Sequence, residues 1–153
     1  ARYMFLTCRD RVSVLTFQDR SVTPHVIRAR SHRALEQGLS TVRPAGLTPL
    51  AAGIVEAVRL LGTARHAPAM LVLLTDGIPT MNQWTGDPAR DALTAAEQIA
   101  ENSIPFTCIG LAPNKSFLRR LTEIAHGTLY IVDEFDRDVL AKLVKDERSK
   151  VQT

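Results

Sequence analysis

Cysteine and aromatic residues are scarce in this sequence. It has two cysteines, one tryptophan and 5% aromatics in 153 residues. A disulfide-dense scaffold is therefore excluded. Cys8 and Cys108 lie far apart among apolar neighbours, and two buried, reduced thiols in a cytoplasmic protein are expected in preference to a bond between them. Long apolar runs are missing too. None approaches the ~20 residues that a membrane helix requires, and no basic, apolar leader is seen, although the chain opens mid-pattern at Ala1. A phosphate loop, a Rossmann glycine fingerprint, a nucleophile elbow and the CxxC and HExxH metal patterns do not occur. His25, His32, His66 and His126 are scattered, without a spacing that suggests a shared metal, and read as surface or capping residues.

What is present describes a soluble globular chain. It is 45% hydrophobic and 23% charged, and at 153 residues it is long enough, as one domain, to bury roughly two-thirds of its unfolded surface. The net charge of +3 is uneven: residues 1–66 hold ten Arg against four acids, and residues 67–153 nine Lys and Arg against twelve acids. Solvated arginines are the first reading of the basic front half and a partner-binding face the second. No aromatic-interleaved groove points to nucleic acid.

The chain is organised around Met70 to Thr80. The unbroken apolar run Met70-Leu71-Val72-Leu73-Leu74 stops at Thr75-Asp76-Gly77, the pattern of a fully buried parallel strand ending in a polar loop. Before it, Met4, Phe5 and Cys8 suit the last turns of a helix. Arg11 to Gln18 reads as a strand, and His25-Val26-Ile27 after Pro24 as an edge strand. Ser31 can cap a helix to about Ser40 that buries Leu35 and Leu39. Thr48 and Pro49 read as N-cap and first residue of a helix carrying Ile54, Val55, Val58 and Leu61 and stopping at Gly62.

The same signal recurs after the central strand. Asp87-Pro88 opens a helix to about Asn102 with Leu93, Ala96, Ile99 and Ala100 inward, and Ile104 to Leu111 is a buried strand. Ser116 caps a helix of Phe117, Leu118, Leu121 and Ile124 that ends near His126-Gly127. Thr128 to Asp133 is the last strand, and Asp136 to about Arg148 the last helix, burying Val139, Leu140, Leu143 and Val144 before a tail that frays. This alternation argues for an α/β domain, an open, mainly parallel sheet with helices on both faces.

Strand ends of such sheets meet ligands, so Asp76 is placed either to bind one or merely to cap a turn before Gly77. Thr48, by itself, reads as a cap worth about 1 kcal/mol. Together, the Thr48 hydroxyl and the Asp76 carboxylate are hard oxygen donors of the kind Mg²⁺ prefers. Trp84, in the loop after Asp76, is an interface anchor or packs back on the sheet rim.

GLTPLAAGI at Gly46 to Ile54 and LLTDGIPT at Leu73 to Thr80 resemble the second and third pieces of the metal-ion-dependent adhesion site (MIDAS) of von Willebrand factor A-type domains. More narrowly, they resemble the A-type domain of the magnesium chelatase D subunit and its cobaltochelatase-like relatives. RDRVSVLTFQ is similar to that family's second strand, IPFTCIGLAP to its fifth, and HGTLYIVDEFDRDVLAKLV to its last strand and helix. The resemblance implies Thr48 and Asp76 as metal ligands, with Gly46, Pro49, Gly77 and Trp84 on the partner-binding rim. The family's first piece, an Asp-x-Ser-x-Ser run, does not occur in these residues.

In the family's sheet order, 3-2-1-4-5-6, the strand bearing that run is central. The resemblance thus implies an N-terminally incomplete domain, with rows of unpaired backbone groups costing about 1 to 3 kcal/mol each unless another segment or chain supplies the strand. The function it implies is a non-catalytic protein-interaction module within a chelatase-like or other ring-ATPase-associated complex. Mg²⁺ in the complete domain would leave one position for an acidic side chain of a protein partner, such as an AAA+ ATPase subunit. Thr48 and Asp76 alone are too few to hold Mg²⁺ tightly, so a vacant or weakly filled site is expected in the chain as given. The alternatives are a metal-independent adapter using the basic face and, less favoured, a small hydrolase, for which no base or nucleophile accompanies Asp76.

Overall fold

The computed structural model describes residues 3–8, 11–18, 21–29, 33, 37, 48–62, 69–75, 79–111, 115–134 and 136–152. Its elements are β1 (Tyr3–Cys8), β2 (Arg11–Gln18), β3 (Ser21–Ala29), α1 (Leu50–Gly62), β4 (Ala69–Thr75), α2 (Pro88–Glu101), β5 (Phe106–Leu111), α3 (Lys115–Ile124), β6 (Thr128–Val132) and α4 (Arg137–Gln152). The strands form one six-stranded sheet in the order β3-β2-β1-β4-β5-β6.

Two pairing regimes meet at the centre. β4, β5 and β6 run parallel, with Leu73 opposite Cys108 and Cys108 opposite Leu129, because a helix crosses over between each pair. β1, β2 and β3 pair antiparallel. Only two residues separate β1 from β2 and β2 from β3, and so short a connection can only reverse the chain. Parallel pairing is thus confined to the second half of the sheet. Pro24 sits opposite Leu15 on the outer strand β3, the kind of edge position where a missing N–H is tolerated.

β1 departs from the sequence expectation. Tyr3 to Cys8 form a strand rather than the end of a helix, and it lies between β2 and β4, antiparallel to both: Leu6 faces Ser13 on one side and Leu71 on the other. The apolar run Met4-Phe5-Leu6 is compatible with either element by periodicity, and pairing on two flanks decides it. The place where unpaired rows were expected is filled by the chain's own residues.

Side chains of β4 alternate between two cores. Leu71 and Leu73 enter the larger one, with Leu15, Leu50 and Ile54 of α1, Ile99 of α2, Phe106 and Cys108 of β5, and Leu118 and Leu121 of α3. Met70, Val72 and Leu74 face the other way, with Ile109, and are covered by Tyr130, Val132, Leu140 and Leu143. Helices therefore lie on both faces, α1 to α3 on one and α4 on the other. Burial on both sides is why the central run carries no polar alternation.

Helix ends differ in detail from expectation. α4 continues to Gln152 instead of fraying after Arg148, and Val139, expected inward, is 45% exposed. It lies in the first turn, where its amide and that of Asp138 donate to the Asp136 carboxylate at 3.1 and 2.9 Å, and Leu140 and Leu143 face the core. The side chain of Val144 lies outside the described residues. So does most of the expected Ser31–Ser40 helix, with Leu35 and Leu39, although Arg33 and Gln37 are helical. α3 closes with the Gly127 amide donating to the Thr122 carbonyl and the His126 amide to that of Glu123, so His126, at φ 55°, takes the left-handed position.

A candidate site at the carboxyl edge of the sheet

Two loops meet at this edge: one leads into α1 just after Thr48, and the other joins the end of β4 at Thr75 to the start of α2 after Asp87. Asp76, Gly77 and Gly46 lie outside the described residues, so of the expected ligand pair the structure describes Thr48 and not its distance to Asp76.

Thr48 does not behave as a cap. The first helical bond of α1 runs from the Gly53 amide to the Pro49 carbonyl at 3.0 Å, which makes buried Pro49 the capping position and sets Thr48 one residue outside. Its backbone is held instead by the loop after β4. The Thr48 amide donates to Thr80 Oγ1 at 2.8 Å, and the Thr48 carbonyl accepts from the amides of Thr80 at 3.1 Å and Met81 at 3.2 Å. Its side chain is left over. Thr48 is 1% exposed, and its Oγ1 has no hydrogen-bond partner among the described residues. A buried hydroxyl with no partner at all would carry a cost of about 1–3 kcal/mol.

Further along the same loop sits a residue that the sequence reading passed over. Asp91, in the first turn of α2, is 1% exposed and gathers the loop around its carboxylate. Oδ2 accepts from the amides of Gln83 at 2.7 Å, Trp84 at 2.8 Å and Thr85 at 3.0 Å, while the Thr85 hydroxyl donates to Oδ1 at 2.7 Å. Burial alone would raise the pKa, but the Thr85 and Trp84 amides, the Thr85 hydroxyl and the Gln83 amide outweigh it and hold the carboxyl below the usual carboxylate range. One sequence signal was available: an acid four residues after the N-cap Asp87, on the same face of the helix, beside a loop rich in unpaired amides. Asp87 itself caps as expected, accepting from the Ala89 and Arg90 amides at 3.0 and 3.2 Å.

Trp84 is 49% exposed and belongs to neither core cluster. Cys108 is buried and free, and burial pushes its thiol up to about 12, although the neighbouring Thr122 side chain acts the other way. The thiol is therefore inert at neutral pH. Among the described residues no group of three or more His, Cys, Asp or Glu could hold a metal ion, and no helix is long and apolar enough to cross a membrane.

Comparison with known proteins agrees with this architecture. The sequence profile of the von Willebrand factor type A domain matches residues 7–146. Among solved structures, the chain is similar to the SpRpn10 VWA domain, with a TM-score of 0.61 and 13% identity over 88% of this chain and 70% of that one. At that identity the likeness speaks for the fold alone. No curated protein matches the sequence. The profile covers nearly the whole chain and the solved relative shares its fold: this chain belongs to the von Willebrand factor type A domain family.

Proposed function

We propose that this domain is a non-catalytic protein-interaction module whose docking site is the carboxyl edge around Thr48, and that the site uses Mg²⁺. The observation that carries this reading is the Thr48 hydroxyl, buried and without a hydrogen-bond partner among the described residues. A buried oxygen with free lone pairs suits a hard cation, and Mg²⁺ takes few protein oxygens while keeping several waters. Thr48 Oγ1 would be one donor and the Asp76 carboxylate, next along from β4, the other. A bound cation supplies a positive charge able to accept a carboxylate from a protein partner. The chain's own part is to hold Thr48: its amide and carbonyl are tied to Thr80 and Met81, so the hydroxyl is positioned in advance.

The exposed Trp84 would flank the partner, together with Gly46 and Gly77, whereas Pro49, expected on the same rim, is buried and would not touch it. The narrower resemblance of GLTPLAAGI and LLTDGIPT supports a chelatase-like setting, with an AAA+ ATPase subunit as partner, in the cytoplasm. Titration calorimetry with Mg²⁺ tests the site. Binding that weakens about ten-fold or more in both Thr48→Val and Asp76→Ala is expected. Binding in the parent chain is expected to be weak, since two protein donors hold Mg²⁺ loosely, and equal binding in all three proteins would remove the metal and leave a metal-independent docking surface.

A further inference from the structure

The segment from Thr80 to Thr85 is fastened at both ends. At one end Thr80 contributes its hydroxyl oxygen and its amide to the backbone of Thr48, with Met81 adding a second amide. At the other, three consecutive amides and one hydroxyl converge on the buried Asp91 carboxylate. Between these anchors Asn82 and Gln83 are exposed, and Trp84 stands out with half its surface open. A loop of this length and polarity would ordinarily sample many conformations. Here its backbone donors are consumed by two fixed residues, one on each helix entry.

We propose that Asp91 and Thr80 are positioning residues that hold Trp84 at a set place beside Thr48, so that a protein partner reaching the Thr48 site meets the indole as a fixed second contact. The inference rests on the reading of the Thr48 edge as a docking site. Trp84 follows Thr80 by four positions, a reach of at most about 14 Å. A standard interface covers about 800 Å² per partner, a patch roughly 30 Å across, so a partner that engages Thr48 covers Trp84 as well. Ordering the loop before encounter removes an entropy cost from binding. Tryptophan is also among the residue types that most often anchor interfaces. The partner this surface fits is a protein offering an acidic side chain to the Thr48 site and, within that reach, an apolar recess for the indole.

Neither residue is a ligand in this scheme, so the test reads position rather than affinity alone. Trp84 is the chain's sole tryptophan, and its fluorescence anisotropy reports this loop without labelling. Anisotropy is expected to fall in Asp91→Ala and in Thr80→Val, and to be retained in Thr80→Ser, which keeps the hydroxyl acceptor. Asp91→Asn keeps one acceptor oxygen and should fall between. In parallel, the amides of Gln83, Trp84 and Thr85 should exchange about ten-fold faster in Asp91→Ala than in the parent chain. Unchanged anisotropy in both Asp91→Ala and Thr80→Val, or unchanged exchange at the three amides, would overturn the proposal.

If Asp91→Ala does not fold, Thr80→Val at an exposed position carries the test, read against Thr80→Ser. Mg²⁺ calorimetry on the same proteins separates the two readings. Mg²⁺ binding that is equal in the parent chain and Thr48→Val, with Trp84 still held, overturns the metal and supports the positioning role, whereas Mg²⁺ binding that depends on Thr48 with a freely moving Trp84 does the reverse.

Discussion

Thr48 keeps a hydroxyl where burial removes water and no described neighbour replaces it. If that vacancy serves a ligand, it should cost stability in the ligand's absence. Thr48→Val, which swaps the hydroxyl for a methyl of similar shape, is expected to stabilise the metal-free domain by about 1 kcal/mol. Thermal unfolding in EDTA would show it, and a lowered melting temperature would mean that the hydroxyl is already partnered. Asp91 is the opposite kind of residue, a buried polar group with all its partners. Its folded carboxyl binds a proton less readily than the unfolded one, so at low pH the unfolded chain takes up more protons. The stability it contributes is complete above the ordinary carboxylate pKa and is lost as pH falls below it. Between pH 5 and pH 3 the parent chain should therefore lose more stability than Asp91→Asn, a difference readable from urea midpoints. Parallel pH curves for the two proteins would contradict it.

At the scale of elements, the turn from α3 into β6 shows two adjacent residues with different constraints. His126 carries the left-handed backbone at φ 55°, while Gly127 is there for space: a Cβ on it would lie 2.6 Å from both the carbonyl oxygen and the ring of Phe106. The sequence expectation that the helix ends near His126-Gly127 is right, although the conformational role falls one residue earlier. Gly127→Ala should cost about 1–3 kcal/mol, because the first residues of β5 must move to admit it. Chemical denaturation would measure that cost, and a change under a few tenths would show that the approach of β6 to β5 is looser than described. The two clasps on the loop after β4 belong to this scale as well. They tie the entry of α1 to the entry of α2, so the geometry of this edge is set by helix starts rather than by the loop's own propensity.

For the whole molecule, β1 is the hinge of the design. It joins the antiparallel front of the sheet to the parallel back, and its two flanks are paired over their full length. Removing residues 1–8 would expose the ladders of β2 and β4 at the centre of the sheet. At about 1–3 kcal/mol for each buried group left unpaired, the loss exceeds the total stability of an ordinary domain, about 5–15 kcal/mol. The truncated chain is expected to lose its cooperative thermal transition by circular dichroism, and a retained sharp transition would mean that another segment closes the gap. The same deletion in a chain whose sheet ended at β2 would be mild, since edge strands have one flank to lose.

The sequence by itself determined the α/β class, the buried central strand from Met70 to Leu74, the edge position of the Pro24 strand, the Asp87-Pro88 helix start and the motifs that carry the family resemblance. Each of these depends on local chemistry: apolar runs, a missing proline N–H, a carboxylate two and three residues before the helix amides it accepts from. Tertiary structure decided the rest. Tyr3 to Cys8 became a strand because two neighbours needed pairing there, which no window of six residues can register. Thr48 lost its role as a cap and Asp91 gained its role as a clamp because a loop more than thirty residues downstream of one, and the loop just before the other, brought backbone donors to them. The bonds to Thr48 join segments distant in sequence and are satisfied only after the sheet has set the loops side by side, and that is where the candidate site was made.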